Sequence, residues 1–162
     1  MTDPARVGIV LIGRNEGERL RASLTSVLPI SQRVVYVDSG SRDGSVALAA
    51  GRGCAVVELA PDRPFSAARA RNAGLAQLLT LYPTLEFVQF IDGDCLLDPD
   101  WLRHALAQMA ADPTLAVVCG RRRGRYPERS LYNRLIDMEW DTPVGRADAC
   151  GGDALMRVAA VQ

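Results

Sequence analysis

Asp92-Gly93-Asp94 sets two carboxylates on either side of a glycine, directly after the apolar run FVQFI. In an extended chain, side chains two apart point the same way. Carboxylates about 4 Å apart repel by roughly 4 kcal/mol at an effective dielectric of 20. A divalent cation removes that cost. Mg²⁺ typically takes one or two carboxylates and completes its shell with substrate phosphates and water. Gly93 lets a ligand approach the backbone. The pattern predicts a metal that clamps a diphosphate. The competing reading is an ordinary acidic turn ahead of the helix near Pro99.

Other residues carry weaker signals. Asp38 follows an apolar stretch and opens the segment DSGSRDGS. It can accept hydrogen bonds from a base or ribose, or serve the turn itself, where Asp and Ser are favoured. Arg69, Arg71 and Asn72 fall in a helical stretch. Residues two apart do not share a helix face, so the two arginines are expected to have separate jobs. One can reach phosphate, which suits a guanidinium fork. Arg121, Arg122, Arg123 and Arg125 form a basic run that can steer an anionic donor, meet an acidic acceptor or lipid headgroups, or stay solvated. His104 has no partner motif and reads as structural. Cys95 adjoins the acidic turn without a basic neighbour in sequence and reads as packing.

These residues need elements to hold them. Val7 to Ile12 is a nearly unbroken apolar run, which suits a strand buried on both faces. Asn15 is expected to cap the next helix, with Glu18 completing a capping box. Leu20, Leu24, Val27 and Leu28 recur at helical spacing, and Pro29 ends that helix. Further strands are expected at 33–37, 55–59, 86–91 and 115–119. Helices are expected at 45–52, 67–81 (started by Ser66), from Asp98 or Pro99 to about 111, and at 131–140. Residues 154–158 suit a strand or a helix. The alternation predicts an α/β fold, a mostly parallel sheet with helices on both faces. Ligands of such sheets bind beyond the carboxyl ends of the strands. Asn15, Glu16, Asp38, Asp92 and Asp94 all fall there, which defines one candidate pocket.

Composition narrows the field. The length suits a single domain over residues 1–162, without an internal repeat or linker. The formal net charge is zero, against any general affinity for nucleic acid. All 19 basic residues are Arg, so Schiff-base and P-loop lysine mechanisms are excluded. The four cysteines form no CxxC pair and read as reduced thiols of a cytosolic protein. The N-terminal residues lack an apolar signal segment, and no run approaches the roughly 20 apolar residues of a membrane span. A cytoplasmic protein is expected, with peripheral contact at the inner face of the membrane left open.

Taken in order, the segments resemble a known family. VLIGRNE, VVYVDSGSRDGS, FSAARARNAGL, FVQFIDGDC and ACGGDALMR are similar to successive motifs of the family 2 glycosyltransferases, across residues 7–157. The resemblance implies a GT-A fold, a nucleotide-diphosphate sugar donor (UDP-sugar being the commonest) and transfer with inversion. Asp38 would then contact base or ribose, Asp92 would lie near the ribose, and Asp94 would bind Mn²⁺ or Mg²⁺ beside the diphosphate. Asn15 and Glu16 would line the base pocket, and Arg71 and Asn72 would support it or the phosphates. Gly151, Gly152 and Asp153 would lie near the transferred sugar. The acceptor, a glycan, lipid or small molecule, stays open.

The chain departs from that pattern twice. Arg14 stands where many members carry an aromatic residue near the base. The family's general base is a carboxylate in a Glu-Asp or similar pair well after the glycine-rich segment. Asp141, Asp148 and Asp153 do not match it, so the base is expected beyond Gln162. A chain cut short there would bind donor better than it turns over, and a homodimer could cover exposed core. The alternative is a non-catalytic nucleotide-sugar-binding module. A haloacid-dehalogenase-type phosphatase fits poorly, because Cys95 stands where that class has Thr or Val and its later lysine is missing. A Rossmann dehydrogenase would need G-x-G-x-x-G after the first strand.

Overall fold

The computed structural model describes residues 6–161. Six strands, β1 (Val7–Gly13), β2 (Val34–Asp38), β3 (Ala55–Glu58), β4 (Phe87–Asp92), β5 (Val117–Cys119) and β6 (Ala154–Arg157), form one sheet in the order β3-β2-β1-β4-β6-β5. The first four are parallel to one another. β6 inserts between β4 and β5 and runs antiparallel to both. The helices are α1 (Glu18–Val27), α2 (Ser45–Gly51), α3 (Ala67–Leu81), α4 (Trp101–Ala111) and α5 (Leu131–Glu139).

The pleat of β1 sorts the core into two layers. Val7, Ile9 and Leu11 face a cluster with Leu20 and Leu24 of α1 and Leu102 and Leu106 of α4. Val10 and Ile12 face the opposite cluster with Ala70, Leu75 and Leu78 of α3. Every residue from Val7 to Leu11 is buried, as expected of a central parallel strand. At roughly 25 cal/mol per Å² of apolar surface, this two-sided burial is what holds the sheet at a fixed height under its loops. α5 is different. Asp137 is its buried residue, while Leu131, Tyr132, Leu135, Ile136 and Met138 are exposed.

Two local expectations fail. The capping box at α1 does not form. Gly17 is the N-cap, and Asn15 sits at φ 55, a left-handed conformation that Asn tolerates. Its Oδ1 accepts from the Arg42 N–H at 2.8 Å, which takes the oxygen a cap would need. Glu18 instead pairs with Arg21 at 3.1 Å. The second failure is at Asp92-Gly93-Asp94. β4 stops at Asp92, and the Cys95 N–H donates to the Asp92 carbonyl at 2.9 Å. The segment is therefore a tight turn, and the carboxylates are set by that turn rather than by strand pleating. Elsewhere Ser66 does start α3, its hydroxyl accepting from the Arg69 N–H at 3.1 Å. His104 lies on the exposed side of α4, 3.1 Å from Arg103.

Candidate functional site

The carboxyl ends of β1, β2 and β4 come side by side, with Gly13 in register with Asp38 and Ile12 with Asp92. The loops above them are tied together by hydrogen bonds. The Asn15 N–H donates to Ser41 Oγ at 2.8 Å, alongside the Asn15–Arg42 bond. Asp38 is 2% exposed. Its Oδ2 accepts from the N–H groups of Gly40 and Ser41 at 2.9 and 2.7 Å, and its Oδ1 accepts from the Tyr36 hydroxyl at 3.0 Å. Burial, then the Asp38 charge, pushes the Tyr36 hydroxyl well above its usual range, so it remains a donor. Asp38 and Asn15 therefore tie the β1 and β2 loops together. The Asp38 carboxylate thus accepts three hydrogen bonds from its own loop, and Asn15 Oδ1 one. Asn72 is placed differently from Arg71. It is exposed on α3, one helical step away from Arg71, and does not line the pocket.

What remains is a compact polar floor. An open pocket of about 380 Å³ is lined by Gly13, Glu16, Ser39, Phe65, Arg71, Asp92 and Asp94, among others. Arg71 Nη2 lies 2.7 Å from Asp92 Oδ1. The Asp92 N–H in turn donates to Asp153 Oδ1 at 3.1 Å, which draws the glycine-rich segment under the end of β4. Gly152 makes that approach feasible: a Cβ there would lie 2.0 Å from Arg71 Nη2 and 3.2 Å from Asp92 Oδ1. Arg69, as expected of a residue on another face, has a separate job. It donates to the carbonyls of Ala60 and Arg63 at 2.9 Å and braces the loop before α3.

Charge in the pocket is unbalanced. Burial pushes the Glu16 carboxyl above its ordinary range; Arg19 opposes that shift, and Asp94 adds to it. Arg19 Nη2 stands 2.9 Å from Glu16 Oε2 as an ion pair, without the alignment of a hydrogen bond. Asp94 is exposed on the turn, and its contact is the Cys95 thiol at 3.5 Å. Burial and the charges of Asp153, Asp94 and Asp92 hold that thiol far above its usual range, which fits packing and not a nucleophile. Among the described residues, no three His, Cys, Asp or Glu side chains converge on one point. The residues nevertheless fit a divalent ion held by Asp94, with the other positions filled by phosphate oxygens and water, because a cation would relieve the repulsion at Glu16.

The profile of glycosyl transferase family 2 matches residues 9–159. The chain belongs to this family. Its GT-A fold is shared with solved glycosyltransferases. Glucosyl-3-phosphoglycerate synthase from Mycobacterium tuberculosis, solved with UDP, superposes with a TM-score of 0.66 at 21% identity, over 94% of this chain and 57% of that one. A mannosyltransferase from Pyrobaculum calidifontis, solved with GDP-Man and Mn²⁺, gives 0.62 at 26% identity, over 97% and 46%. The chain thus spans about half the length of these structures. A search of curated proteins finds no match.

Within this glycosyl transferase family 2 chain, a second cavity of about 550 Å³ adjoins the first and shares Asp94 as a wall. Asp153, Trp101, Trp140 and the arginines of the 121–125 loop line it. Sequence reasoning missed several of these parts. Phe65 brings an aromatic ring to the first pocket, with the Arg14 guanidinium 5.4 Å from its centroid. An apolar residue just before a helix cap ordinarily reads as a staple, which hid it. Buried Gln89 of β4 accepts from Trp101 Nε1 at 2.8 Å; a polar residue inside an apolar strand was the signal that could have found it. Gly151 packs directly against Arg122, and Asp141 pairs with Arg121 at 3.2 Å. No helix among the described residues is long and apolar enough to cross a membrane.

Proposed function

We propose that this chain carries the donor half of an inverting glycosyltransferase site, which binds a nucleotide-diphosphate sugar with a divalent metal. The observation that carries the reading is the bonded chain Arg71–Asp92–Asp153 beneath Asp94, at the carboxyl ends of parallel strands in a family 2 member. The base would enter the first pocket between Phe65 and Glu16, with Ser39 at its edge. Asp92 would reach the ribose while Arg71 fixes its orientation. Asp94 would hold Mn²⁺ or Mg²⁺. When bound, such an ion neutralises charge on the departing nucleoside diphosphate. Gly151, Gly152 and Asp153 would border the transferred sugar. UDP and GDP are the nucleotides present in the similar structures.

Asp38 and Asn15 act in this reading as positioning residues that keep the β1 and β2 loops open at one width. The proton of the acceptor hydroxyl must go to a base as the bond forms. Asp137 accepts from the Gly124 N–H, Asp141 is paired with Arg121, and Asp153 is bonded to the Asp92 N–H. None of the three is assigned as that base. Calorimetry with UDP, GDP and dTDP, with and without Mn²⁺, tests the reading. Metal-dependent binding of one nucleotide, lost in Asp94→Ala, is expected. A folded protein that binds none of them would overturn it.

A further inference from the structure

The second cavity has a charge pattern that the donor reading does not use. Asp137, the buried residue of α5, organises the loop on its rim. Its Oδ1 accepts from the Gly124 N–H at 2.7 Å, and its Oδ2 lies 3.6 Å from Arg123 and 4.0 Å from Arg121. Those two arginines are thereby engaged. Arg122 and Arg125 make no ion pair among the described residues. Arg125 lies over the Tyr126 ring at 5.3 Å. Arg122 is half-buried, with its guanidinium carbon 4.7 Å from the centre of the Trp140 ring. On Gly151, a Cβ would lie 2.7 Å from the same carbon, so the guanidinium occupies space a side chain would fill. Stacking and close packing thus fix the plane of a charged fork that makes no ion pair among the described residues, although the Asp153 carboxylate on the same cavity wall is near enough to feel its charge.

A held guanidinium with free donors matches the oxygens of a phosphate or carboxylate two at a time. A ring stack of this kind holds the guanidinium in place and reduces the entropy lost on binding. Apolar surface from Ile91, Leu97 and Trp101 in the same cavity leaves room for a carbon skeleton beside the charge. Because Asp94 walls both cavities, a molecule here would sit next to the diphosphate turn, where an acceptor belongs.

We infer that this cavity receives a phosphate or carboxylate carried by the acceptor, so that the sugar acceptor of this chain is an anionic molecule, recognised by Arg122 with Arg125 in support. The position beside the donor rests on the function proposed above; the anion site itself does not.

The test saturates the chain with whichever of UDP or GDP binds in Mn²⁺, then titrates glycerol 3-phosphate, malonate and neutral glycerol. Heat and tryptophan fluorescence report binding, since Trp140 and Trp101 line the cavity. Both anions should bind and alter the fluorescence, and glycerol should not. Arg122→Ala and Arg122→Gln should weaken the anions by about tenfold or more and Arg122→Lys by less, with nucleotide affinity held within about twofold. Circular dichroism confirms that each variant is folded. Equal binding of glycerol, or anion affinity unchanged in both neutral variants, would overturn the inference. Parallel loss of nucleotide affinity would also overturn it, assigning Arg122 to the donor. Arg122-dependent anion binding in a chain that binds no nucleotide would sustain the anion site and break the donor reading alone.

Discussion

The β1–β4 half of the molecule and the segment from Gly120 to Asp153 are built on opposite plans. In the first half, apolar strands buried on both faces fix the loops, and the polar residues above them are bonded to one another. Asp38 meets Tyr36, Gly40 and Ser41, and Asn15 meets Ser41 and Arg42. In the second, a helix turns its apolar side chains outward and buries an aspartate, and the ordering is electrostatic: one carboxylate gathers an N–H and two arginines. Hydrophobic layers resist displacement regardless of salt, whereas charged contacts at partly exposed sites weaken with it. Under the function proposed above, holding a nucleotide falls to the rigid half, and recognition of the acceptor to the half that a few substitutions can rewire.

The largest effect that would challenge this contrast comes from the rigid half. On Gly74 of α3 a Cβ would lie 2.4 Å from Val10 Cγ1 and 2.8 Å from Val37 Cγ2. Gly74→Val should lower stability by about 3 kcal/mol in urea unfolding, in line with overpacked cores. A loss below about 0.5 kcal/mol would show that α3 is not wedged onto the sheet. Next, Asp92→Ala leaves Arg71 unpaired. Because both side chains are partly solvated, the cost to stability should be about 1–2 kcal/mol, with nucleotide affinity down at least about tenfold by calorimetry.

Gly152→Ala separates site from fold. Its added methyl displaces the Arg71 guanidinium, so nucleotide binding should weaken by about tenfold while the melting temperature barely moves. On the electrostatic side, Asp137→Ala should cost about 1 kcal/mol. It should also speed trypsin cleavage after the arginines of the 121–125 loop without changing nucleotide affinity. Rapid cleavage in the unaltered protein would mean that Asp137 does not order the loop.

The smallest effect is one of pH. Burial raises the Asp153 carboxyl above its ordinary range; the Asp92 N–H opposes this and the Asp92 charge adds to it. A carboxyl with a raised folded value favours the fold while protonated. Its contribution is full below the unfolded value and is lost as pH rises through the folded one. Asp153→Asn can still accept from the Asp92 N–H, so it should flatten the melting-temperature profile across that window. An unchanged profile would place the dependence elsewhere.

Much of this was legible in the sequence because apolar runs and turn residues are local signals. The four parallel strands, the start of α3 at Ser66 and the division of labour between Arg69 and Arg71 follow from periodicity and capping alone. The pocket floor was harder to read. Asp92 and Asp153 are separated by 61 positions, and only strand pairing brings them together. Asn15 was misassigned because a capping residue and a loop staple have the same local signature; the partner that decides, Arg42, lies 27 positions away. Asp38 had the expected location at the end of β2, but its burial and its hydrogen bond from the Tyr36 hydroxyl were not evident from an acid opening a turn. The role of Asp137 was invisible, since nothing local marks a helix that buries one aspartate and exposes its apolar residues.

The antiparallel insertion of β6 also has a bearing on biogenesis. β5 pairs with β6, and β4 meets that same late strand along its other edge. On the ribosome, β5 emerges with no strand to join, and β4 waits with its outer N–H and C=O groups bare until residues 154–157 arrive. Bridging such a span is entropically slow compared with local contacts. During that interval an apolar central strand offers its edge to any neighbouring chain, the situation that promotes aggregation. Yield of soluble protein should therefore depend on how quickly β6 is delivered.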